Sequence, residues 1–235
     1  MVPTKFKRQG TVNVVLYGNL REHCSIVLNE FGDTVGGDLS QLVWRPVFRE
    51  SQFRNFNMTF PNALRVDFLG SNFLGDVTLD LPKAGSIYRA LQGCRAKNVT
   101  INAPVATNAD DFACWGNFDS ITLNMPNCER LSEAIWDSRC PVFRGVVTKC
   151  KYVIDFTFND NRMEEFDCDL PSLDVGNNFI RNSYLTSANI DRIFTSLPTY
   201  TDGSSHNIDI KNTPDFVNAH PEIARAKGWS VNGIR

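Results

Sequence analysis

Residues 77–82 read VTLDLP, residues 99–104 VTINAP and residues 121–126 ITLNMP, so one hexapeptide pattern returns at spacings of 99 − 77 = 22 and 121 − 99 = 22 residues. Two equal periods are the signature of a repeat architecture, in which each unit buries its apolar face only against its neighbours. Val77, Val99 and Ile121, with Leu79, Ile101 and Leu123, alternate with Thr78, Thr100 and Thr122. That is the period of a strand with one buried face. Pro82, Pro104 and Pro126 follow at the same level, and a residue without an N–H ends ladder pairing there. Further along each unit lie three apolar columns: Ile87, Ala109 and Leu131; Ala90, Phe112 and Ala134; Leu91, Ala113 and Ile135. Their separations of three and four residues predict a helical turn behind each strand.

These columns predict an α/β solenoid, a leucine-rich-repeat-like stack of 22-residue coils sharing one parallel sheet. The pattern xVTLxLPxxxxIxxxAL, followed by Cys, Trp or Gly, resembles the leucine-rich repeats of the bacterial surface-antigen (BspA-like) class over about residues 63–180. The family spacing LxxLxLxxNxL returns as Val153, Phe156, Phe158, Asn161, Met163 and as Leu170, Leu173, Val175, Asn178, Ile180. The resemblance implies that Asn161 and Asn178 satisfy backbone groups at the turns. These two matches start only 17 residues apart, shorter than the earlier coils, and between Ile121 and Phe156 one coil is expected to be distorted or to carry an insertion around the stretch SRCPVFRGVV.

A stack needs closed ends. The division expected is an N-terminal cap or attachment segment (1–62), the solenoid (63–183) and an α/β C-terminal cap of capping repeats (184–235). In the last part LTSANIDRIFTSLP predicts a helix opened by Thr186 or Ser187 and stopped before Pro198. HNIDIKN predicts a strand, PEIARAKG a helical segment ending at Gly228, and WSV a last strand. This ending resembles the closing segment of repeat proteins encoded by tailed bacteriophages and their hosts, which implies a virion-surface context. In the irregular N-terminal cap, VNVVLYGNL predicts a strand, REHCSIVLNEF a helix and DTVGGDLSQ a loop. Lys5, Lys7, Arg8, Trp44 and Phe48 are the candidate attachment residues, with Phe53 and Phe56 beside them.

Composition limits the partners. Of 235 residues, 24 are Lys or Arg and 26 Asp or Glu, a net charge of −2 that offers no general attraction to nucleic acid or anionic membrane. No run approaches the roughly 20 apolar residues of a membrane helix. The basic start is not expected to be a signal peptide, because Asn13 and Asn19 interrupt the apolar run and Arg21, Glu22 and His23 follow it. The seven cysteines lack CxxC pairs and are expected as buried free thiols, with pairing left open.

Chemistry-bearing motifs are sparse. His23, His206 and His220 stand without a nucleophile motif, and neither GxSxG, HExxH nor a Gly-rich phosphate loop occurs, so an enzyme, a cofactor and a metal are not expected. The acidic run holding Asp155, Asp160, Glu164, Glu165, Asp167, Asp169 and Asp174 fits no calcium loop, and its alternating apolar residues assign it to a solvated face. Thr78, Thr100 and Thr122 with Asp80, Asn102 and Asn124 form the candidate binding strip, or else a purely structural polar ladder. The expected function, resting on the phage-like ending, is a non-catalytic binding or structural component of a virion, made in a host cytoplasm. A tail fibre or receptor-binding element comes first. A capsid-decoration protein, a bacterial surface adhesin and a sugar-acting enzyme are the alternatives. Partners are other virion proteins, a host receptor or a glycan, with self-association open.

Overall fold

A computed structural model describes residues 5–8, 12–13, 24–25, 27–31, 34–36, 45–53, 55–154, 157–159 and 162–233. Its main feature is a ten-stranded front sheet whose central path runs Val12–Asn13, Thr34–Gly36, Asn55–Thr59, Val77–Asp80, Arg95–Asn102, Asn117–Asn124, Val142–Val146 and Glu165–Asp169. All these pairings are parallel. Val77 lies opposite Val99 and Val99 opposite Ile121, so the three hexapeptides read from the sequence are neighbours in space.

The ladder extends beyond them in both directions. Ile121 pairs with Phe143 and Phe143 with Phe166, so SRCPVFRGVV carries the next strand in register and is no insertion. Its aliphatic signature is lost because Gly145 stands where the preceding strand has Leu123. A Cβ on Gly145 would sit 3.0 Å from Cys168 Sγ and 3.3 Å from the Phe143 ring, so the neighbours fill the missing side chain's place. Upstream, Phe56 pairs with Val77 and Val35 with Phe56. The segment 24–31 forms strands Cys24–Ser25 and Val27–Phe31 rather than a helix, and Thr34–Gly36 is strand rather than loop.

Behind the front sheet, Asn108–Asp110, Arg130–Ser132 and Tyr152–Ile154 form a second parallel sheet. The helical turn expected there does not form. Arg89, Asp111 and Glu133 have φ of 54°, 53° and 45°, which breaks a right-handed helix. The donors that a helix would use internally go to the next repeat, with Leu91 N–H on Phe112 O at 2.7 Å and Ala113 N–H on Ala134 O at 3.0 Å. The apolar columns still point inward: Leu79, Ile101, Leu123, Ala90, Phe112 and Ala134 are all 0% exposed. Phenylalanines thicken the core on either side, Phe53, Phe56, Phe60 and Phe68 before the aliphatic middle and Phe143, Phe158, Phe166 and Phe179 after it.

The register also corrects the late asparagine spacing. Phe158 pairs with Ile180, 22 residues on, so the 17-residue offset between the two matched patterns is not the structural one. Asn178 is left-handed with φ of 51°, and its N–H donates to Asp209 Oδ2 at 2.8 Å. Asn161 lies outside the described residues.

The C-terminal elements follow the sequence expectation, and they are where the described helices lie: α1 (Ser187–Ser196), a 3-10 turn (Pro214–Asn218) and α2 (Glu222–Arg225). Thr186 Oγ1 caps α1 by accepting from Asn189 N–H at 3.3 Å. Helix α1 then closes the edge of the front sheet. Asn189 Oδ1 accepts from Phe166 N–H at 3.1 Å and Ser196 Oγ from Leu170 N–H at 3.4 Å, covering donors that an open edge strand would expose. Lys227 Nζ binds Thr195 O at 2.5 Å and Leu197 O at 2.8 Å, a cation on the negative end of α1. Strands His206–Lys211 and Trp229–Asn232 complete the end in a sheet with Gly176–Arg181.

Candidate functional site

The parallel register sets alternate residues of the front strands in rows that face outward. Asn102 Nδ2 donates to Asp80 Oδ1 at 2.6 Å, and Asn124 Nδ2 donates to Asn102 Oδ1 at 2.6 Å. Thr59 Oγ1 reaches the other Asp80 oxygen at 3.2 Å. A second ladder runs parallel to it, with Asn98 Nδ2 on Asp76 Oδ1 at 2.8 Å and Ser120 Oγ on Asn98 Oδ1 at 2.8 Å. Each ladder runs into an aspartate, which carries no donor of its own and so only accepts. Three of the expected strip residues, Asp80, Asn102 and Asn124, thus spend their hydrogen bonds on one another.

Between the two ladders stands the column Thr78, Thr100 and Thr122, each paired to the next across the sheet and half-buried. Their hydroxyls make no hydrogen bond among the described residues and repeat at about 4.8 Å, the strand spacing. This is a straight row of free hydroxyls held on a stiff surface. Asn102→Ala removes one bond on each side of the central rung and is expected to cost about 1 kcal/mol, read by thermal unfolding. A change below about 0.3 kcal/mol would mean that water replaces the ladder freely.

Farther along the face, charges pair. Arg144 meets Glu165 at 2.8 Å, and Arg192 of α1 contacts both Asp167 and Asp169. The acidic run is therefore partly neutralised by arginines, and among the described residues no three His, Cys, Asp or Glu side chains converge as a metal site. Asp155 and Asp160 lie outside the described residues.

One constellation spread along the sequence comes together at the C-terminal end. His206 is 6% exposed, with Nδ1 at 2.9 Å from Asp174 Oδ1 and Nε2 at 2.6 Å from Ser204 Oγ. The order serine, imidazole, carboxylate is that of an activated nucleophile. Ser204 is nonetheless held otherwise: its Oγ lies 2.6 Å and its N–H 3.0 Å from Asp202 Oδ1. Asp202 and His206 thus compete for the one proton of the Ser204 hydroxyl. The ring of Tyr200 stacks on the imidazole at 3.5 Å and Trp229 flanks it at 5.7 Å. The cluster ties the loop 201–205 to the end of the stack. The exposed His220 is held 2.7 Å from Asp191, whose hydrogen bond and charge raise its pKa above the ordinary histidine value.

Trp115 was missed in the sequence. It is 53% exposed, its ring centroid lies 5.8 Å from that of Trp136, and its φ is 56°. Gly70 and Gly93 hold the matching left-handed positions of the two preceding repeats, with φ of 70° and 67°. A bulky residue there is strained by about 1–2 kcal/mol relative to glycine. Trp115→Gly is accordingly expected to stay within about 1 kcal/mol of wild type, relief of strain offsetting the lost ring contact. Trp115→Ala, which keeps the strain, should be the less stable of the two in urea unfolding.

Of the attachment residues, Lys5, Lys7 and Arg8 lie on the strand Lys5–Arg8, paired in parallel with Val27–Phe31. Trp44 is outside the described residues. Phe48 is 3% exposed and stacks on Phe68 at 5.1 Å, so its ring belongs to the protein's own core and is not open to a partner. Among the described side chains six cysteines are free and buried, and burial pushes the Cys94 and Cys140 thiols up to about 12, leaving them inert at neutral pH. No protein-family model, no curated protein and no solved structure matches the chain.

Proposed function

We propose that the chain is a leucine-rich-repeat-like solenoid acting as a non-catalytic binding or structural component of a tailed-phage virion, in the tail apparatus as a fibre or receptor-binding element. The observation that carries the binding role is the free threonine column Thr78, Thr100 and Thr122 between two self-satisfied ladders. Rigid repeat surfaces recognise partners over an extended face, because no ordering entropy is lost on contact. The virion context rests on the resemblance of residues 184–232 to phage-encoded endings. In this reading the N-terminal segment attaches the stack through Lys5, Lys7 and Arg8, and the receptor is a host protein or glycan.

Two measurements test it. Cryo-electron microscopy of particles of the encoding phage should place density for the chain on the tail. Density on the head alone makes it a decoration protein, and absence from the particle removes the virion reading. Separately, the triple substitution of Thr78, Thr100 and Thr122 by valine should keep the fold by circular dichroism while abolishing adsorption to host cells. Unchanged adsorption would exclude the threonine face as the receptor surface.

A further inference from the structure

At a corner of the stack, away from the threonine column, an open cavity of about 590 Å3 is lined by Arg45, Leu64, Arg65, Lys83, Ser86 and Asn108. We propose that it binds an acidic saccharide, with a carboxylate or sulfate group held by Arg65 and Lys83. The volume is that of an ordinary small-ligand site. The inference does not depend on the chain belonging to a virion.

The charges of the lining carry the argument. Three cations meet at one cavity in a chain whose net charge is −2. The carboxylate bonded to one of them is Asp67, which is 1% exposed and already bound by Arg45 at 2.6 Å, Arg49 at 2.6 Å and Leu69 N–H at 3.0 Å. Its single charge is shared between Arg45 and Arg49, and it pairs with neither Arg65 nor Lys83. Lys83 Nζ donates to the neutral Asn62 amide oxygen at 2.7 Å and keeps its full charge. Arg65 has no ion-pair partner among the described residues. Two full positive charges therefore face the cavity without compensation.

The hydrogen-bond character of the lining points the same way. Asn108 Oδ1 is engaged by Ser86 Oγ, which leaves the Asn108 amide N–H groups as the free polar atoms of that side chain. Arg65, Lys83 and Asn108 thus offer donors, and the complement of a donor-rich lining is a ligand rich in acceptor oxygens. Leu64, 41% exposed at the rim, gives an apolar patch against which the carbon face of a sugar ring fits. An anion alone would make no use of it.

Isothermal titration calorimetry on the full chain decides the matter with four probes: a sulfated disaccharide, a glucuronate-containing disaccharide, lactose and inorganic phosphate. At low salt the two acidic disaccharides are expected to bind with Kd on the order of 0.1–1 mM, weakening as salt rises. Lactose and phosphate should each bind at least about tenfold more weakly, lacking the charge and the ring respectively. The double variant Arg65→Gln/Lys83→Gln should weaken the acidic disaccharides about tenfold or more. Both side chains are exposed, so the fold survives. Arg95→Gln/Lys97→Gln, on the front sheet, removes the same charge elsewhere and should leave binding unchanged. The proposal is overturned by no binding of either acidic disaccharide, by equal loss in the two double variants, or by lactose or phosphate binding as tightly.

Discussion

Phe56→Ala is expected to lower the unfolding free energy by about 3–5 kcal/mol, read as a shift of the urea midpoint at constant slope. Phe56 is 1% exposed and its ring centroid lies 4.8 Å from that of Phe53, 5.1 Å from Phe68, 5.7 Å from Phe73 and 6.2 Å from Phe48. Removing it takes away apolar contact on every side. The site also resists collapse, because the strand that carries Phe56 is hydrogen-bonded to Val77–Asp80 on one side and Thr34–Gly36 on the other. A cavity that cannot close keeps its full cost. Stability in a repeat array is passed between neighbours, so the loss weakens both adjacent pairings. Thr100→Ala on the outer face, by contrast, should change stability by less than about 0.5 kcal/mol. A cost below about 1 kcal/mol for Phe56→Ala would mean that the phenylalanine cluster is not packed as described.

The middle of this architecture was legible because three consecutive repeats spell the same columns in aliphatic residues and threonine. The flanking repeats were not, for a physical reason. Phe56, Phe143 and Phe166 occupy the buried position that Val77, Val99 and Ile121 hold, and a phenylalanine column does not look like a valine column in a self-alignment. Core volume is conserved locally between neighbours, as Gly145 and Cys168 illustrate, rather than residue by residue. The back of each repeat misled differently: a separation of three and four residues is shared by helices and by the tight left-handed turns at Arg89, Asp111 and Glu133. At the candidate sites, the outward rows could be read from strand alternation, but not which of them were already hydrogen-bonded. Trp115 gave no signal, since the left-handed requirement at its position is a property of the stack. The corner cavity joins residues from 45 to 108 and shows only once the repeats are stacked.

Asp67 could have drawn notice as an acid between the apolar Val66 and Phe68, and its replacement gives the second large expected effect. Burial by itself pushes its carboxyl toward the neutral form, but the Arg49 hydrogen bond, the Leu69 N–H and the Arg45 charge outweigh it and hold the pKa below the usual aspartate value. A depressed carboxylate contributes stability that is present above the unfolded pKa of about 3.9 and is lost as pH falls through the folded value. Asp67→Asn keeps an acceptor for Leu69 but breaks both ion pairs. Arg45 and Arg49 retain 28% and 48% side-chain exposure, so their charges are not stranded, and the cost at pH 7 should be about 2 kcal/mol rather than the larger penalty of a fully buried pair. Urea unfolding of wild type and variant at pH 7, 5, 4 and 3 should show a constant gap at the first two values that begins to narrow near pH 4 and is smaller at pH 3, as protonation turns wild-type Asp67 into an equivalent of the amide. A gap undiminished at pH 3, or none at pH 7, refutes the role. The same variant frees Arg45 from its carboxylate at the rim of the corner cavity, so affinity for the acidic disaccharides should rise while stability falls. Binding and stability moving in opposite directions would separate a loss of local charge balance from a general loosening of the fold, in which both decline together.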